Sequence, residues 1–321
     1  MVECRHMTIA WHASQMSLRG TEIAVYDYAH FCDTLLGIRP IIVAPLWNRR
    51  HDLSAFSKFT SRFTVHLYRS EAHLKKLAKR EKADFFYSLK GAHDDLRVTG
   101  LVNLVHGVFR SCPPHGDRFA YISPFLSRTC PGSHPFVPHI VPPLKADERA
   151  RQNLGIPTNA LVFGRYGGLK TFDLEFVQMW VYQKALEDPN CHFLFMNTKR
   201  FCPPHPRIHH LRGTADPSKK AQFISACDAM LHAREDGETF GLAIGEFSVL
   251  NKPVLTWPGS QDAAHLEFLG DKALLYENAQ DLDRHCSMLQ LGEHKSLNWD
   301  CYSERFSPEV VTKQFKDVFL S

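Results

Sequence analysis

Residues 232–257 read HAREDGETFGLAIGEFSVLNKPVLTW, which has the order of a strand, a tight polar turn, a helix and a second strand. The turn carries Glu238, Thr239, Phe240 and Gly241, and a glycine there lets backbone approach a ligand closely. The N–H groups that open the next helix, from Leu242, face outward with no partner in their own helix and suit an anion. Glu246 lies on that helix, so two carboxylates bracket a helix N-terminus. Such N–H groups and the positive helix end can hold a diphosphate, while carboxylates accept hydrogen bonds from hydroxyls. A sugar nucleotide presents both kinds of group. Without such a ligand, Glu238 would support the turn and Glu246 would be a solvated helix residue.

The same rhythm extends in both directions. Leu161 to Arg165, Cys191 to Asn197, Ile208 to Leu211, Ala229 to Ala233, Pro253 to Thr256 and Ala273 to Tyr276 read as strands, with helices at Phe172 to Glu187, Pro217 to Cys227 and Leu242 to Leu250. Toward the N-terminus, Thr8 to Trp11, Pro40 to Ala44, Phe63 to Leu67, Asp84 to Leu89 and Leu101 to His106 alternate with helical patterns, the first of which, Gly20 to Leu36, ends at Gly37. This alternation predicts α/β architecture with doubly wound parallel sheets, whose ligands bind beyond the carboxyl ends of the strands. Between Ser133 and Pro157 five prolines rule out a central strand or an uninterrupted helix. The stretch reads as a link between a first domain, 1–145, and a second, 146–321, whose last helix, about 307–320, starts at Ser307-Pro308 and is placed to pack back toward the first domain.

Composition limits the function classes. Lys plus Arg (38) less Asp plus Glu (34) leaves +4, too small an excess for the field of a nucleic-acid binder. No run of 18 apolar residues and no signal-peptide core occurs, and nine scattered cysteines without a CxxC pair point to a reducing cytoplasm. Among 19 histidines, His209-His210 project to opposite faces of a strand, so no metal site is expected. The helix around Glu71 to Lys82 combines many lysines with a weak apolar stripe at Leu74, Leu77 and Ala78, which reads as a solvated face, with a peripheral membrane contact as the alternative.

The string from Glu238 to Glu246, followed by Lys252-Pro253-Val254, resembles the signature of retaining GT-B glycosyltransferases of the family-four type (glycosyl transferases group 1). That resemblance implies two Rossmann-like domains facing a central cleft. It implies that Glu238 holds donor-sugar hydroxyls, that Glu246 holds the nucleotide ribose, and that the Phe240 to Ala243 backbone lies near sugar and diphosphate. FGRYGGLKTFDLEFV, residues 163–177, resembles the family's diphosphate clamp, with Arg165 and Lys170 as its cations, although Thr171 stands where glycine is common. SLRGTEIAVYDYA resembles the first glycine-rich loop, with Gly20 alone where two glycines are usual and Arg19 beside it. His106 ends a strand where similar enzymes place a histidine facing donor sugar and acceptor. Nucleobase contacts are expected around Asn197 to Arg200 and Arg212 to Thr214.

The implied activity is hexosyl or pentosyl transfer from a nucleotide sugar such as a UDP- or GDP-sugar to a glycan, glycolipid or glycoprotein hydroxyl, with no metal and no cofactor. Asp281-Leu-Asp283 sits on a late helix, which disfavours the metal-dependent GT-A type. A sugar-nucleotide epimerase, a pyridoxal-phosphate phosphorylase and a noncatalytic sugar-nucleotide-binding protein remain the alternatives.

Overall fold

The computed structural model describes residues 7–91 and 96–321. Contacts divide the chain into two units, Met1–Ile140 with Phe306–Ser321, and Val141–Arg305. The break falls inside the proline-rich stretch, because its first half is held by the first unit: Val137 N–H donates to Tyr121 O at 2.8 Å and the Tyr28 hydroxyl to Pro138 O at 2.5 Å.

The first unit contains β1 (Thr8–His12), β2 (Arg39–Pro45), β3 (Thr64–Tyr68), β4 (Phe85–Lys90), β5 (Val102–Gly107) and β6 (Arg118–Tyr121), paired in parallel in the order β3-β2-β1-β4-β5-β6. Its helices are α1 (Gly20–Leu36), α2 (Leu53–Arg62), α3 (Glu71–Arg80) and α4 (Pro124–Thr129). Strand β6 gave no sequence signal, since RFAY is too short to show a period.

The second unit contains α5 (Ala150–Leu154), β7 (Leu161–Tyr166), α6 (Glu175–Glu187), β8 (Cys191–Met196), β9 (Ile208–Leu211), α7 (Pro217–Ala226), β10 (Ala229–His232), β11 (Gly237–Glu238), α8 (Leu242–Val249), β12 (Val254–Thr256), β13 (Asp262–Ala263), α9 (Ala264–Leu269), β14 (Ala273–Leu275) and α10 (Ala279–Leu291). Its parallel sheet runs β14-β12-β10-β7-β8-β9, which repeats the order of the first when strands are counted within each six-stranded sheet. Both sheets therefore reverse direction of growth once, between β1 and β4 and between β7 and β10. At such a switch point the flanking loops leave on opposite faces and open a crevice beyond the carboxyl ends.

The central strands are buried because helices cover both faces, and most of their residues are apolar. Phe163, Phe193 and Trp180 pack at 5.6–5.8 Å between ring centres in the second unit, beneath the buried face of α6. In the first unit, α3 turns Leu74, Leu77 and Ala78 inward and leaves its lysines in solvent. The last helix, α11 (Pro308–Phe319), belongs to the first unit: Phe315 packs 5.6 Å from Trp11 and 5.3 Å from Tyr28, and Arg118 donates to Phe319 O at 2.6 Å.

Candidate functional site

The carboxyl edge of the second sheet is built around Glu238. Strand β10 ends at His232, whose register partner in β12 is Thr256. The chain then turns through Arg234 to β11, which pairs with β13, Gly237 opposite Asp262. Gly237 has φ 75°, and a Cβ there would stand 2.1 Å from Asp262 O, so only glycine permits this pairing. Next in the chain, the Glu238 carboxylate receives Arg234 Nη1 on Oε2 at 3.1 Å and faces His232 Nε2 on Oε1 at 3.5 Å, an ion-pair separation longer than a good hydrogen bond. Burial works against its charge, but His232 and Arg234 outweigh burial and hold the carboxyl down at about 2. Glu238 is therefore an anion whose side chain keeps 26% exposure.

Gly241, at φ 88°, then caps α8 and turns the helix N-terminus toward the same edge. Thr239 and Phe240 are buried; the Phe240 ring packs against Phe268 and Tyr302, leaving backbone to line the turn. Leu242 opens α8.

Glu246 points the other way from solvent. It forms an ion pair with Lys220 of α7, with side-chain exposures of 7% and 6%. Of the two readings of Glu246, the solvated helix residue is thus set aside, and any ribose it meets must share the carboxylate with Lys220. Nothing in the sequence marks Lys220 as buried, because its neighbour Lys219 is exposed and lysines of this kind usually are.

Arg165 differs from its expected role. It is 3% exposed, and its guanidinium donates to Thr198 Oγ1 at 2.7 Å, to Gly168 O at 3.3 Å, and to Thr171 through both its carbonyl, at 2.7 Å, and its hydroxyl. Burial lowers it to about 10, against the pull of Glu238. It braces the β7–α6 loop, and Thr171, the departure from the family pattern, is one of its partners. Asn197 fixes the same loop by donating to Gly167 O at 2.7 Å. Lys170, at the loop tip, is exposed and is the cation of this pair that can reach a ligand. Thr214 lies after β9, two strands from β7, and its hydroxyl accepts Asp216 N–H at 3.1 Å.

In the first unit Gly20 is the exposed first residue of α1, following Arg19 as N-cap. His106 does not face a ligand. It is fully buried on β5; its Nε2 donates to Val137 O at 2.7 Å, since a carbonyl only accepts, and its Nδ1 accepts the Tyr87 hydroxyl at 2.8 Å. Burial lowers it to about 4, and burial also holds His139 beside it well below the usual histidine range. The expectation of a donor-facing histidine is corrected: both ring nitrogens serve the core. The sequence missed His232, Arg234, Thr256 and His265, although the first three lie within the opening segment, because strand-end positions carry no signal until the neighbouring strand is known.

No protein-family model matches the sequence, and no curated protein matches it. Solved structures do. HepE of Anabaena, in complex with UDP-glucose, superposes with TM-score 0.73 at 14% identity, over 97% of this chain and 99% of that one. A glycosyltransferase from Rickettsia africae gives 0.70 at 12%, over 99% and 100%. A protein assigned as a UDP-N-acetylglucosamine 2-epimerase, from Listeria monocytogenes, gives 0.61 at 12%, over 98% and 97%. The fold is thereby defined as GT-B: two Rossmann-like α/β units, each with a six-stranded parallel sheet.

Two predictions concern the buried charges. Removing one partner of a buried pair leaves the other uncompensated, so Lys220→Met should lower unfolding free energy by about 3–5 kcal/mol in urea titration, and adding Glu246→Leu should restore most of it. An unchanged midpoint in the single variant would show that the pair is not formed. For the first unit, His106 and His139 bind protons in the unfolded chain near pH 6.5 but resist them when folded. Their contribution is complete above pH 6.5 and is lost as pH falls toward 4. His106→Gln should flatten this acid limb, read as thermal midpoint against pH, while an unaltered limb would contradict the assignment.

Proposed function

We propose that the chain is a retaining, metal-independent glycosyltransferase that moves a sugar from a nucleotide-sugar donor to a hydroxyl of a glycan, glycolipid or glycoprotein. The observation that carries this reading is the Glu238 carboxylate, held as an anion by His232 and Arg234 at the switch point of the second sheet. A carboxylate so held accepts hydrogen bonds from sugar hydroxyls and does not become an acid at neutral pH. The N-terminus of α8 and Lys170 supply positive charge for the departing diphosphate, in a loop stiffened by Arg165, so the charge a metal would bring is available from the chain. With the leaving group stabilised on the face it departs from, the sugar–diphosphate C–O bond breaks as the acceptor oxygen bonds the same carbon from that face, the hydroxyl proton passing to the departing diphosphate, and configuration is retained.

HepE, of the same fold, was solved with UDP-glucose, which favours a uridine donor as the first to try. The epimerase-type neighbour supports a second reading, in which the same groups isomerise a sugar nucleotide. Among the described residues no helix is long and apolar enough to cross a membrane. We place the protein in the cytoplasm. A peripheral membrane contact would use the exposed lysines of α3 alone, since its apolar stripe is in the core.

The test is calorimetry with UDP, GDP and dTDP and their glucose conjugates, in EDTA. Glu238→Ala should weaken the sugar nucleotide roughly ten- to a hundred-fold while leaving the free diphosphate almost untouched, whereas Glu246→Gln should weaken both. Equal binding by both variants and the wild type would remove the site. Product analysis separates the two enzyme readings: transfer releases a nucleoside diphosphate, and epimerisation yields an isomeric sugar nucleotide.

A further inference from the structure

Three buried side chains behind Glu238 form one connected chain. His232 Nδ1 lies 3.0 Å from Thr256 Oγ1, and the same oxygen lies 3.0 Å from His265 Nε2, the two rings stacking obliquely at 4.9 Å. His232 is 3% exposed, and Thr256 and His265 are fully buried. The backbone of His232 is fixed as well, its carbonyl accepting the Tyr276 hydroxyl at 2.6 Å. This is more polar structure than a strand end needs, and its outward end is His232 Nε2, 3.5 Å from Glu238 Oε1.

We infer that His232 is a positioning residue for Glu238, held by Thr256 and His265 in the one tautomer that presents Nε2–H to the carboxylate. The direction follows from what each group can do. A carboxylate only accepts, so Nε2 carries hydrogen; with one proton on the ring, Nδ1 then accepts. The single hydroxyl hydrogen of Thr256 goes to Nδ1, and its oxygen accepts Nε2–H of His265. Arg234 holds the second carboxylate oxygen. Arg234 thus hydrogen-bonds one carboxylate oxygen and His232 Nε2 faces the other at 3.5 Å, and the remaining lone pairs are left for a ligand. The other charged groups around it are Arg165 of β7, which feels the Glu238 charge, and Asp236 and Asp173, which act on Arg234. Tyr302 feels the same charge and stays neutral. Burial keeps His265 at about 3, so it does not take up a second proton near neutrality. The inference rests on the reading that Glu238 binds the donor sugar.

Thr256→Val keeps the shape and removes the hydroxyl, and Thr256→Ser restores it. In the Val variant the KM for the sugar nucleotide that binds in the panel should rise about ten-fold, with the dissociation constant of the free nucleoside diphosphate unchanged. The acid limb of kcat/KM should move to higher pH, because Glu238 loses an oriented donor; Ser should return both to wild type. An unchanged KM and pH profile in Val, or equal weakening of sugar nucleotide and diphosphate, overturns the inference. A readout independent of activity is nitrogen NMR of histidine-labelled protein, with His232→Gln identifying the signal. Wild type should show His232 protonated at Nε2 and unprotonated at Nδ1, and Val should lose this preference; the opposite tautomer in wild type overturns the proposal. Wild type that neither binds nor turns over any sugar nucleotide, yet shows the expected tautomer, would instead remove the functional reading and with it the role given to His232.

Discussion

A carboxylate that must remain charged where burial opposes its charge sets the terms for the second unit. Glu238 can do so only because cationic and hydrogen-bonding groups reach both of its oxygens, and these come from one short run, His232 and Arg234, at the end of a central strand. That run needs a tight return of the backbone, which Gly237 permits by taking φ 75° against Asp262 O. It also needs a neighbour strand in register, which supplies Thr256. The sheet order supplies the room: between β7 and β10 the loops part, and the edge opens. Replacing any one of these parts changes the electrostatics of the rest, so the site is best understood as a single charged unit rather than a set of contacts.

Other buried groups are matched inside the protein. Glu246 and Lys220 neutralise one another inside the unit, and His106 is kept uncharged by burial, with a donor and an acceptor matched to its two nitrogens. Glu238, by contrast, keeps exposed acceptor capacity after its protein partners are counted, and Lys170 stands exposed across the β7–α6 loop. Where polar capacity is left over is where a ligand has something to gain.

Much of the architecture was legible because strand and helix periods are local. The helix from Gly20 to Leu36, the strand from Ile208 to Leu211 and the helix from Pro308 to Phe319 have the ends their glycines, prolines and serine predict. The turn at Glu238 to Gly241 was legible for the same reason. Partnerships across strands were not. Arg165 reads as a phosphate clamp until Thr171 and Thr198 are seen to take its donors, and His106 reads as a strand-end ligand until Tyr87 and Val137 occupy its ring. A sequence shows which groups are present; their availability depends on residues tens of positions away, and Lys220 beneath Glu246 is the clearest case.

The central claim is that the carboxyl edge of the second sheet receives the sugar nucleotide, and amide hydrogen exchange measured with and without UDP-glucose tests it most directly. The account predicts slowed exchange in the β7–α6 loop, at the end of β8 and from His232 through Glu246, with the amino-terminal ends of the same strands unchanged. Protection confined to those opposite ends, or a sugar nucleotide that binds tightly while leaving the turn at Glu238 unprotected, would contradict it.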